Sequence, residues 1–332
     1  LVKSGTGTLT LTGANTYTGG TTVNGGTLSI ADGALGGGDV TLAEGTTIKF
    51  NGSSFTTTND FHITGDPVFD VASGTTQTVS GVIDDATGPT NPGVVEKTGA
   101  GTLLLSGANT YSGGTTIAAG ILQIGTDSVF NTPGDPASGI VSSAIGTGTL
   151  TFGGGTLQAG SDTIIANGID LNTADGTIDA NGHDISLAGL ISGTHGLSIV
   201  SSGGGAVTFA NASNSLSGIS VSGTGLRISE SANGDFGSGL VTLTDGSGIK
   251  FTGTDTYTNA VDVSGSTTFD LGGNAVTYNG LIADGTVPGV VMVIGGGTLT
   301  LKNAANSYTG GTDNSGGSTV SIASDGELGG TA

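Results

Sequence analysis

KSGTGTLTLTGANTYTGGTTVNGGTLSIADGALGG, from Lys3 to Gly37, is written into this chain more than once. It returns as KTGAGTLLLSGANTYSGGTTIAAGILQIG from Lys97 and as GGGTLTLKNAANSYTGG from Gly295. A worn copy, GGGAVTFANASNSLSGISVSGTGLRIS, starts at Gly203. Tyr17, Tyr111, Leu216 and Tyr308 mark one position of the phrase at intervals of about 95 residues. Self-similarity at a fixed spacing of this kind belongs to architectures built from stacked units.

The intervening sequence repeats too. GGGDVTLAEGTTIKF from Gly36 matches GSGLVTLTDGSGIKF from Gly237, and NDFHITGDPVFDVASG from Asn59 matches NAVDVSGSTTFDLGGN from Asn259. SGVIDD from Ser80, AGLISG from Ala188 and NGLIAD from Asn279 close the unit each time. The expected organisation is one continuous element, 1–332, made of about three and a half superunits (1–94, 95–200, 201–294 and 295–332) and cut from a longer array.

Inside a unit the period is two. In Thr8-Leu9-Thr10-Leu11-Thr12 leucine and threonine alternate, so a strand would turn them to opposite faces. Leu28-Ser29-Ile30, Val40-Thr41-Leu42 and Ile48-Lys49-Phe50 repeat the pattern in runs too short for a sandwich face. Gly, Asn, Asp and Ser flank them, the residue types that tolerate corner conformations. No apolar spacing of 3.6 persists beyond a turn. The expected fold is all-β, a parallel β-helix in which each coil buries its apolar row against the next. At about 20–24 residues per coil the chain makes roughly 15 coils, a column about 70 Å long.

Composition narrows function by exclusion. Of 332 residues 67 are glycine, without the strict triplet period of collagen. Charged residues make up 10% of the chain, and 26 acidic against six basic residues give a net charge of −20. Contact with nucleic acid needs clustered cations, whereas Lys3, Lys49, Lys97, Arg227, Lys250 and Lys302 are dispersed. Nucleic acid and anionic membrane are therefore poor partners. There is no cysteine, and no apolar run reaches the roughly 18 residues of a spanning helix, so direct membrane insertion of this segment is not expected.

The signature Gly-Thr-Leu-x-Leu-x-Gly-x-Asn-x-Tyr-x-Gly-Gly-Thr is filled by Gly7 to Thr21, by Gly101 to Thr115 and, more loosely, from Gly297 to Thr312. It resembles the passenger-associated β-strand repeat of bacterial autotransporters and related surface adhesins. The copy at Gly203 departs from it, with Leu216 for tyrosine and Ile219 for the second glycine. The resemblance implies a right-handed parallel β-helix, exported through an outer-membrane barrel and displayed outside the cell. In such proteins the column is often a stalk and recognition sits in its excursions.

Candidate sites follow from departures and from rows. Asp84 to Gly93 (DDATGPTNPG) and Asp127 to Gly148 (DSVFNTPGDPASGIVSSAIGTG) break the repeat. Loops on a rigid scaffold are where recognition concentrates, so Asp84, Asp85, Asn91, Phe130, Asn131 and Asp135 are the expected partner-binding residues. Tyr17, Tyr111 and Tyr308 form a row that would stack on sugar rings if exposed and would staple the column if covered. Asn15, Asn109, Asn214 and Asn306 share one position and are expected to make corners or stack on a neighbouring coil. Asp70, Asp179 and Asp270 align and suit capping better than metal ligation.

An enzyme is the reading to exclude. Asn59-Asp60, Asp84-Asp85 and His183-Asp184 resemble fragments of a polysaccharide hydrolase, but Asp60 aligns with Ala260 and His183 with Asn274 in other units, and Arg227 has no basic partner beside it. Glycoside hydrolysis needs two carboxylates about 5–9.5 Å apart, which the sequence does not assemble. No catalytic residue, cofactor or metal site is assigned, although loosely bound Ca²⁺ suits so many carboxylates. The expected function is a non-enzymatic stalk or adhesin segment at the bacterial surface. Its partners would be host or environmental glycans or proteins. A glycan-binding module and a filament joined end to end through open strand edges are the alternatives.

Overall fold

A computed structural model describes residues 1–86, 91–230 and 234–330. They build a parallel β-solenoid of about 15 turns, with one short 3-10 turn at Asp325–Leu328 and no α-helix among the described residues. Contacts group the chain into two compact units, 1–173 and 174–332.

In the first unit Thr8–Leu11, Thr27–Ile30, Thr47–Phe50 and Val68–Val71 pair side by side and parallel. A second parallel sheet runs through Thr21–Val23, Val40–Leu42, Phe61–Ile63 and Ile83–Asp85. A third runs through Phe55–Thr57, Thr76–Val79, Thr102–Leu105 and Ile121–Ile124. Thr8 faces Thr27, Thr27 faces Thr47 and Thr47 faces Val68, so a coil takes about 20 residues. The register stacks like on like. Leu28, Ile48, Phe69, Lys97, Ile117 and Phe152 form one interior column, every member with no exposed surface. Each apolar member contributes roughly 1.5–3 kcal/mol.

The second unit repeats the scheme. Leu197, Ile219, Val241, Val261 and Ile282 stack in register, as do Leu187, Phe209, Glu230 and Phe251. Val261–Asp270 and Ile282–Ile294 are long because they pair around a corner, with a register shift between Val263 and Gly265.

The segment expected to be an irregular excursion is regular in its first part and belongs to the column in its last. Val129–Thr132 and Asp135–Ser142 form an antiparallel hairpin, with Phe130 opposite Ile140. From Ser143 the chain is already back in the column. Ser143 bridges Asn109, and Gly146-Thr147-Gly148 is the corner that Gly36-Gly37-Gly38 makes in the first copy. Gly125 N donates to Leu105 O as Ala31 N does to Leu11 O, and Ser143 O accepts from Asn109 N as Gly33 O does from Asn15 N. The insertion therefore replaces only Asp32 of that copy, and its boundary at Gly148 is corrected to Ser142. Of the other departure, residues 87–90 lie outside the described residues.

Candidate functional site

The repeat position read as a corner asparagine is a ladder between coils. Asn109 Oδ1 accepts from Ile83 N at 2.8 Å, while its Nδ2 donates to Ala144 O at 2.6 Å. Asn214 does the same between Ile191 and Asp235, and Asn306 between Ile282 and Glu327. Asn15 donates to Ala34 O at 2.8 Å. A primary amide has both a donor and an acceptor, so one side chain serves the coil before and the coil after.

A second ladder escaped the sequence reading. Asn59, Asn167 and Asn259 each donate Nδ2 to two carbonyls of a Gly-x-Gly corner: Gly36 and Gly38, Gly146 and Gly148, and Gly237 and Gly239. Their signal was their recurrence, one per superunit.

The tyrosine row is not a stacking platform. Tyr111 and Tyr308 have no exposed surface and Tyr17 is half-buried. Each hydroxyl bonds the threonine four residues on, at 2.8 Å for Tyr17–Thr21 and 2.6 Å for Tyr111–Thr115 and Tyr308–Thr312. The next corner covers each ring. Gly36, Gly146 and Gly329 all have positive φ, and a Cβ there would lie 2.9, 2.7 and 3.0 Å from the ring beneath. Glycine is needed there for its backbone conformation and for its missing side chain alike. Burial raises the Tyr111 phenol well above its ordinary pKa, partly offset by Thr115.

The loop residues divide. Asp85 is a clasp. Its carboxylate accepts from Gly93 N at 2.6 Å, where the loop ends, and from Ser112 Oγ at 2.7 Å in the following coil. Asp284 repeats this with Gly289 N at 2.7 Å and Thr309 Oγ1 at 2.6 Å. Burial works against its charge, but the bonds from Thr309 and Gly289 prevail and hold its carboxyl below the usual range. Asp84 pairs with His62 Nδ1 at 2.5 Å, and Asp39 lies 3.5 Å from Nε2, which raises the imidazole pKa. Asn91 donates to Glu44 at 3.4 Å. In the hairpin Phe130 is 7% exposed and so does not project, a correction to its expected role. Asn131 donates to Ser138 O, and Asp135 Oδ1 accepts from Ala137 N, so both hold the hairpin's own turn. Val129 and Val141 are its exposed apolar side chains, at 49% and 45%.

The lysines also escaped. Lys97 Nζ donates to the carbonyls of Thr98, Gly99 and Ala119 at 2.6, 2.8 and 3.1 Å. Lys3 makes the same set with Ser4, Gly5 and Gly25. Burial lowers the Lys97 pKa to about 8, against the pull of Asp70. Arg227 likewise turns onto the carbonyls of Leu226 and Gly246 and the hydroxyl of Thr268. Three of six cations thus serve the backbone.

The residues weighed as hydrolase fragments have structural partners. Asp60 accepts from Val82 N at 2.7 Å and Asp184 from Ala206 N at 2.8 Å. Asp179 and Asp270 cap Asn181 N and Gly272 N, and Asp70 pairs with Lys49 at 2.8 Å. Among the described residues no group of three His, Asp or Glu is placed to hold a metal ion, and no helix is long and apolar enough to cross a membrane. A shallow groove crosses four coils of the second unit. Thr177, Ser198, Ser220 and Thr242 lie in register along it, and Leu240, 40% exposed, stands at its side.

A solenoid with asparagine ladders, tyrosine staples and clasped loops defines a class of stacked-repeat β-helical protein. The family model for the passenger-associated-transport-repeat matches residues 1–30, 95–124 and 294–321, so the chain carries three copies of that repeat. It is 33% identical over 237 residues to the adhesin BmaC autotransporter of Brucella suis biovar 1, an alignment covering 65% of this chain. The chain spans about 7% of that relative's length. No solved structure matches it. The chain is thus a parallel β-helix that carries the passenger-associated-transport-repeat and is similar in sequence to part of an autotransporter adhesin.

Proposed function

We propose that this chain is a non-enzymatic extracellular segment of a bacterial surface adhesin, in which the coils act as a spacer and the departures from the repeat meet the partner. The observation that supports it is where the chemistry-bearing side chains go. Asn59, Asn109, Asp60, Asp85, Asp184, Lys97 and Arg227 are all engaged in holding coil to coil or closing a loop. The hairpin 129–142 instead presents Val129 and Val141 to solvent.

The partner on this reading is a host or environmental protein or glycan, met at the cell surface. The test is to compare the purified chain with a variant whose residues 129–142 are replaced by a short Gly-Ser link, on arrays of glycans and extracellular-matrix proteins. Binding by the parent chain and its loss in the variant support the reading. Binding unchanged in the variant removes the hairpin from it.

A second reading has its own observation. The groove of aligned hydroxyls at Thr177, Ser198, Ser220 and Thr242 beside Leu240 suits a polyhydroxyl ligand laid along the coils. Under it, Ser198→Lys with Ser220→Lys abolishes glycan retention while the hairpin replacement leaves it intact.

A further inference from the structure

An acid stands inside the worn copy where the first two copies have an apolar side chain: Glu230 occupies the position of Ile30 and Ile124. Asp235, nearby, takes the position of Ala34 and Ala144, which the copy at Gly295 fills with Glu327. Glu230 lies in the interior column between Phe209 below and Phe251 above, and it is 1% exposed. Phe236 meets Phe209 edge-on with centroids 5.2 Å apart, and Tyr257 meets Phe251 at 4.8 Å, so rings wall the carboxyl. One face of it accepts from the backbone N–H groups of Phe236 and Gly234. Its Oε2 and the hydroxyl of Tyr257 are both buried without a hydrogen-bond partner.

We propose that Glu230 makes this corner of the second unit a proton-operated latch, packed shut while its carboxyl is neutral and loosened when it ionises. A carboxylate in a dry, aromatic-walled interior is unfavourable unless a cation or enough donors face it. The charged groups that act on Glu230, Asp235 and Asp255, are both acidic, and Tyr257 and Tyr278 face it as neutral phenols. Arg227, on the same strand, spends its guanidinium on the carbonyls of Leu226 and Gly246 and the hydroxyl of Thr268, and Lys250, on the strand above, is exposed. Burial accordingly pushes the Glu230 pKa from 4.5 up to about 8, with the two aspartates adding to it and the backbone donors opposing.

The sign follows from linkage. The folded corner holds its proton more tightly than the open one, so closure is favoured at acid pH and weakens as pH rises from about 4.5 to 8. Above that window the carboxyl is ionised in both states and the response levels off.

Hydrogen exchange on the whole chain tests this. After correction for intrinsic exchange, amides of Ala206–Phe209 and Gly248–Phe251 should open about 10- to 100-fold more often at pH 9 than at pH 6. The strands Thr27–Ile30 and Thr47–Phe50 of the first unit serve as the internal reference. In Glu230→Gln, which keeps the shape and removes the charge, the pH response should vanish. Glu230→Ile, the residue of the other copies, should protect the corner at both pH values. A wild-type response retained in Glu230→Gln overturns the proposal, as does no response in the parent chain. Protection restored at pH 9 by calcium chloride also overturns it, in favour of a cation site.

Discussion

The ammonium of Lys97 reaches the carbonyl oxygen of Ala119, 3.1 Å away in the following coil, from inside the apolar column between Phe69 and Ile117. Its stem fills the core and its head closes a ring with the carbonyls of Thr98 and Gly99. Lys3 makes the equivalent ring with Ser4, Gly5 and Gly25, so the first two copies of the repeat use the same device.

Lys97→Met should therefore cost about 2–3 kcal/mol in denaturant unfolding, because the volume is kept but three carbonyls lose a charged donor. Lys49→Met, which removes an exposed pair with Asp70, should cost less than about 1 kcal/mol. The Lys97 pKa is lowered to about 8 from 10.5 in the unfolded chain, so the unfolded state holds more protons between these values. Stability should rise in the parent chain from pH 8 to about 10.5, and Lys97→Met should lack that rise.

Asn109→Ala should destabilise by about 2–4 kcal/mol, since Ile83 N and Ala144 O both lose their partner in a buried corner. Asn15→Ala removes the one bond to Ala34 from a half-buried site and should cost about 1 kcal/mol. Paired denaturation curves give the difference directly; equal costs would show that the ladder does not act through its two-sided bonding.

Asp85→Ala should leave the coils standing and release the loop it closes. Limited proteolysis should cut between residues 86 and 92 at least tenfold faster than in the parent chain. Asp284→Ala should do the same between Asp284 and Gly289, where the clasp geometry recurs around a shorter loop.

Replacing residues 129–142 by a short link should preserve the circular dichroism spectrum and shift the unfolding midpoint by less than 5 °C. Extending the deletion through Gly148 should unfold the neighbouring coils. It takes away Ala144, which Asn109 bonds, Gly146, which covers Tyr111, and the acceptors of Asn167.

The residue pattern carried the architecture a long way. Thr8-Leu9-Thr10-Leu11 alternates at the strand period, and the phrase returns every 95 residues or so, which together require stacked parallel coils. The asparagine at one motif position was legible as a corner because Asn is the type that bonds its surroundings there. The recurrence of Asn59, Asn167 and Asn259, one per superunit, held a second ladder that went unread. The alternation Val95-Glu96-Lys97 in principle already pointed Lys97 inward, yet nothing local says that three carbonyls wait for it.

What the sequence determined alone is what depends on local period and on repetition: strand, corner, and the stacking of equivalent residues. Whether Tyr111 is covered, whether Asp85 is free to meet a partner, and whether Glu230 faces water or Phe251 depend on coils about 20 or more residues away. Burial and hydrogen-bond satisfaction are properties of that neighbourhood, so only the tertiary structure decided them.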